Sequence, residues 1–141
     1  MIKINKNSFF SLEWQFLLYG FLMSFWSSLG QTFFISLFSQ EIRIGLNLSH
    51  GEFGFYYAIA TLASAITLFW IGKLADKLSV RRLSLFTIIF LCFASFHFST
   101  VTSITFLILG IYFLRLFGQG MMYHVYSTAV TRRYHKFRGR A

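Results

Sequence analysis

Apolar residues fill four long stretches, about 14–40, 50–71, 83–98 and 104–130, and charge is confined almost entirely to the segments between and beyond them. At 1.5 Å per helical residue the first stretch would run roughly 40 Å, and about 20 apolar residues are enough to cross a bilayer. The pattern predicts an all-α integral membrane protein of four transmembrane helices in a single membrane domain.

The polar positions inside these stretches are not scattered. Gly20, Ser24, Ser27 and Gln31 recur at helical spacing and share one stripe, with Ser28 beside it, leaving Phe16, Phe21, Phe25 and Phe33 to face lipid or other helices. Gly54, Ala58, Thr61 and Ala65 make a second stripe of small residues, which suits close helix packing. Ser49 followed by Glu52 is a capping box and sets the start of the second helix near His50. The chain has no proline, so flexibility in these helices falls to glycine: Gly20 and Gly30 in the first, Gly110, Gly118 and Gly120 in the fourth.

Charge then orients the helices. The segment GKLADKLSVRR (72–82) sets Lys73, Lys77, Arg81 and Arg82 against Asp76, and the C-terminal TRRYHKFRGRA and the Lys3/Lys6 leader are also basic. The connection 40–52 is poor in basic residues, and the turn 99–103 has none. Cytoplasmic loops retain Lys and Arg, so four spans with both termini cytoplasmic satisfy all three clusters together, and the opposite order would satisfy none. The expected location is the inner (plasma) membrane, multi-pass. The leader resembles a signal peptide, but its apolar run extends well beyond a signal core, so it is read as a retained first helix.

Composition agrees. Of 141 residues, 56% are hydrophobic and only 12% charged, more apolar surface than a soluble domain of this size could hide. The net charge of +9 is concentrated at segment ends, which fits retention at the membrane face and argues against nucleic-acid binding. The single Cys92 has no Cys or His at metal-ligand spacing and is expected as a small core residue; no metal or cofactor is implied.

The basic segment does more than orient. Gly72-x-Leu74-Ala75-Asp76-Lys77, followed by Arg81-Arg82, resembles the loop between the second and third helices of the major facilitator superfamily, with Ser79 and Val80 departing from that pattern. Arg115-x-x-Gly118-Gln119-Gly120 resembles the fourth-helix pattern of the same family. The stretches GQTFFISLFSQEIR and KFRGRA are similar to bacterial members grouped with monocarboxylate or organic-anion carriers. The resemblance implies a secondary transporter of small solutes working by alternating access, with about twelve spans in two halves. This chain would then be an N-terminal fragment, helices one to four, inactive alone unless a second chain supplies the rest. It also implies a cytoplasmic gate motif at Gly72, Asp76, Lys77, Arg81 and Arg82.

Candidate chemistry lies in the fourth stretch. Arg115 sits deep in the bilayer, where an unpaired charge costs at least about 2.5 kcal/mol, and it is read as a residue that binds an anion or couples protons, or else as one that pairs with backbone carbonyls to hold the bundle. Gln119 lies on the same face. His124 is read as a hydrogen-bonded interfacial residue or else as a proton relay, and Gln31 as a ligand-facing group or a simple interhelical hydrogen-bonding one. With four acids in the chain and no close pair of them inside a stretch, an enzyme is not expected. A small membrane scaffold or regulator, or a homo-oligomer of the multidrug-exporter type, is the other class of function, although the latter needs an acid deep in the first span and Glu13 lies at its start.

Overall fold

The computed structural model describes residues 6–73 and 78–133, with side chains from Glu13 onward. Asp76, Lys77 and the basic residues beyond Arg133 lie outside the described residues. The described chain is helical. Helix α1 (Lys6–Ser27) runs into a 3₁₀ turn (Ser28–Gly30), followed by the short helices α2 (Thr32–Leu37) and α3 (Ser39–Gly45). Helices α4 (His50–Ile71) and α5 (Val80–Ser99) follow. The last helix comprises α6 (Ile104–Phe113), a π-helical segment (Leu114–Met122) and α7 (Tyr123–Arg133) without a break. Among the described residues α4, α5 and the 30-residue run Ile104–Arg133 are long and apolar enough to cross a membrane.

The last helix is the centre of the bundle. Leu107, Ile111, Leu114, Met121, Met122 and Val125 are fully buried on it, because α1, α4 and α5 each pack on a different side. Tyr112 donates to Thr67 Oγ1 at 3.0 Å, fixing α4 against α6. On the α5 side Phe90 stacks on Phe117 with ring centroids 5.0 Å apart. Helix α1 lies against α5 through a 2.6 Å hydrogen bond between Tyr19 and Ser84, and against α7 where Gly20 faces Val130. The outward faces carry Phe21, Phe25, Leu62, Phe69, Phe93 and Phe96, each more than half exposed. So much apolar surface is untenable in water and expected in lipid.

The chain reverses where its turn chemistry says it should. Ser49 Oγ accepts from the Glu52 N–H at 3.2 Å, and Glu52 Oε2 accepts from the Ser49 N–H at 2.8 Å, completing the capping box of α4. Ser49→Ala should destabilise this helix start by about 1 kcal/mol, read as faster amide hydrogen exchange over residues 50–55 with the rest of the chain unchanged. Before it, Asn47 takes a positive φ of 52°, closing α3 with a bond from the Leu48 N–H to the Arg43 carbonyl of 2.8 Å.

Three features differ from the sequence expectations. The first stretch is not one helix from Trp14 to Gln40: it breaks after Gly30, where Gln31 is extended (ψ 154°), and resumes as α2. The second small-residue stripe is not a packing face within this chain. Ala60 and Ser64 are buried instead, and Gly54, Ala58 and Ala65 are exposed, because α4 turns its Tyr56, Ala60, Ser64 and Thr67 side towards the last helix. Cys92 is exposed rather than a core residue, since α5 buries Leu91 and Ala94 and directs Cys92 outward.

Charge is segregated by end. Lys73, Arg81, Arg82, Arg132 and Arg133 gather at the end where α4 stops, α5 starts and α7 finishes. There Arg133 Nε pairs with Glu13 Oε2 at 2.7 Å across α1 and α7. Arg81 and Arg82 occupy the first turn of α5, where the helix dipole disfavours cations, so helix stability does not account for them. The opposite end holds Glu41, Arg43 and Glu52.

Candidate functional site

The break in the first stretch and the π segment meet at two glycines. A Cβ on Gly30 would stand 2.9 Å from the Gly118 Cα and 2.5 Å from the Gln119 nitrogen, and a Cβ on Gly118 would stand 2.7 Å from the Gly30 nitrogen. Only glycine at both positions permits this backbone crossing. The extended Gln31 leaves the Gly30 carbonyl outside the helix ladder, and such a group must find a partner at membrane depth.

Arg115 is that partner. Its Nη1 donates to the Gly30 carbonyl at 3.3 Å and to Thr32 Oγ1 at 3.2 Å. Thr32 is also bonded to the Tyr57 hydroxyl at 2.9 Å, and the guanidinium carbon lies 5.6 Å from the centre of the Tyr57 ring. One arginine thus ties α2, α4 and the π segment together. Its site is about 17 Å into the last helix by the 1.5 Å rise, and no carboxylate among the described residues is bonded to it.

The guanidinium is not fully used. Nε is buried without a hydrogen-bond partner, and so is Thr61 Oγ1. Both side chains line one cavity of about 350 Å³ between α4 and the last helix. Gln119, His124, Ser64 and Tyr123 complete its polar lining, and Ala65 and Leu68 its apolar part. A threonine in a helix commonly bonds the carbonyl four residues back, as Thr67 does to Ala63 at 2.9 Å. Thr61 makes no such bond, and its hydroxyl is buried without a partner.

Of the residues singled out from the sequence, Arg115, Gln119 and His124 line this cavity together. The π segment, whose extra residue per turn shifts the register, carries Arg115 and Gln119 along one wall. Gln31 does not line the cavity; it lies at the break as the residue that caps α2. Gly72 abuts His124: a Cβ there would stand 3.1 Å from the imidazole Cδ2 and Nε2. Arg81 and Arg82 are exposed and do not line the cavity, and Asp76 and Lys77 of the same motif lie outside the described residues. Sequence reasoning did not single out Tyr57 or Thr32, and it placed Thr61 only in a packing stripe. Their roles come from the helix break, which leaves no mark in the local pattern beyond Gly30 itself.

A bundle of lipid-facing helices with a part-buried arginine beside a cleft defines a membrane protein. The family model of the Major Facilitator Superfamily matches residues 3–141, and the chain belongs to that family of transporters. No curated protein and no solved structure matches the chain.

Proposed function

We propose that this chain takes part in alternating-access transport of a small organic anion, with Arg115 supplying the counter-charge. The observation that carries this reading is that Arg115 and Thr61, each with a buried polar atom left without a partner, line a cavity with no carboxylate among the described residues. A guanidinium left without an anion at this depth is costly, and a carboxylate in the cavity offsets that cost. His124 on the same cavity is the group placed to carry a coupled proton.

In this reading the chain forms four spans with both termini at the cytoplasmic side of the inner membrane, the clustering of Lys73, Arg81, Arg82, Arg132 and Arg133 at one end supporting that orientation. It contributes one part of the path, and further helices complete the cavity. The exposed Gly54, Ala58 and Ala65 offer a surface for close approach. The same surface favours a second reading, a membrane scaffold that packs against a partner.

Isothermal titration of the chain in lipid nanodiscs separates the two. Benzoate is expected to bind saturably and the neutral isostere benzamide at least about tenfold more weakly, which corresponds to ~1.4 kcal/mol. Equal binding of the two, or no binding, would remove the anion site and favour the scaffold.

A further inference from the structure

The cavity at Arg115 does not end at His124. A second cavity of about 460 Å³ shares Ala65, Leu68 and His124 with it and continues to Gly72, Lys73 and Thr128. From Thr61 to Lys73 the combined slot follows α4 for about 18 Å. We infer that this slot is the access route of the anion towards the basic end of the molecule, with a second binding station at Lys73 and His124; the inference rests on the anion reading of the Arg115 cavity.

Three observations support it. Cationic and hydrogen-bonding groups are spaced along the slot, Arg115 at one end, His124 in the middle and Lys73 at the other, and no carboxylate among the described residues lines either cavity. Lys73 is exposed, and its Nζ rests 4.9 Å above both the Phe69 and the Trp70 rings. That perch holds the ammonium at the mouth, and a ring face attracts the charge without accepting as a hydrogen-bond oxygen would. The missing side chain of Gly72 is what allows the His124 imidazole to lie against the end of α4, beside Lys73. Like charges along a low-dielectric groove raise the local concentration of anions and pass them inward in steps.

Trp70 beside Lys73 provides the readout. In a chain with Trp14→Phe and Trp26→Phe, iodide quenching of Trp70 reports anion at the mouth, and acrylamide, a neutral quencher, reports exposure alone. Lys73→Gln is expected to lower the iodide quenching constant about threefold to fivefold and leave acrylamide quenching unchanged. Benzoate, which does not quench, should compete with iodide saturably, and Gly72→Val, which crowds His124, should weaken that competition. Iodide quenching indifferent to Lys73→Gln, or falling in step with acrylamide, would overturn the station, as would competition that never saturates. Arg115→Gln should leave the Trp70 signal in place. If benzoate fails to bind at Arg115 while Trp70 still reports saturable anion, the transport reading falls and the station at the mouth stands.

Discussion

Gly30→Ala is expected to prevent the bundle from closing. The added methyl would point into backbone on all sides, 2.5 Å from the Gln119 nitrogen and 2.9 Å from the Gly118 Cα, and backbone cannot rotate away as a side chain can. Overpacking in a tight core commonly costs about 1–3 kcal/mol, and a clash confined to main chain belongs at or beyond the upper end of that range. The loss should appear as aggregation on extraction and a collapsed thermal transition in nanodiscs. Gly118→Ala should behave the same way, because its methyl would meet the other side of the same crossing, 2.8 Å from the Gly30 Cα. Gly54→Ala is the control: nothing lies within 4 Å of a Cβ there, so the variant should be no less stable than the parent and up to about 1 kcal/mol more stable through helix propensity. A Gly30→Ala chain as stable as the parent would mean that the break does not cross the π segment at this distance.

Replacement of Arg115 should have two separable effects. Its Nη1 bonds hold the Gly30 carbonyl and Thr32, so Arg115→Gln should lower stability by about 1–3 kcal/mol, the penalty of an unpaired carbonyl at depth. It should also abolish anion binding, because the charge is gone. Arg115→Lys divides the two: a compact ammonium retains charge but cannot hold Gly30 and Thr32 while presenting a second nitrogen to the cavity. Its anion affinity should fall between parent and Arg115→Gln. Thr32→Ala should reduce stability by about 1 kcal/mol and leave anion binding within about twofold, since Thr32 bonds the arginine rather than the cavity. Thr61→Val makes the reverse case, keeping the helix packed while removing the hydroxyl that lines the cavity.

The sequence pattern carried much of this architecture. Apolar stretches and basic connections marked the helices around α4, α5 and the last helix, and Ser49 with Glu52 placed the start of α4 correctly because a cap is a local device. The convergence of Arg115, Gln119 and His124 on one cavity followed from their being neighbours on a single helix. What the pattern could not carry was set by contacts between distant elements. The break after Gly30 depends on Gly118, far along the chain, and no proline announced it. The π segment has no local signature apart from its two glycines, and it exists where the last helix must accommodate that crossing. The exposure of Cys92 and of the stripe at Gly54, Ala58 and Ala65 depends on how α5 and α4 are rotated in the bundle. A small-residue stripe says that something packs closely, not that the same chain does.

The dual use of Arg115 gives the site its character. One edge of the guanidinium holds the helix break at Gly30 and Thr32, and Nε is buried without a hydrogen-bond partner.

The most direct measurement is isothermal titration of benzoate into the parent chain and its Arg115→Gln variant, both in nanodiscs and both checked for an intact thermal transition. Saturable binding by the parent, weakened at least about tenfold in the variant, is the predicted result. Equal affinity in the two would show that the anion does not depend on Arg115 and would contradict the proposed site.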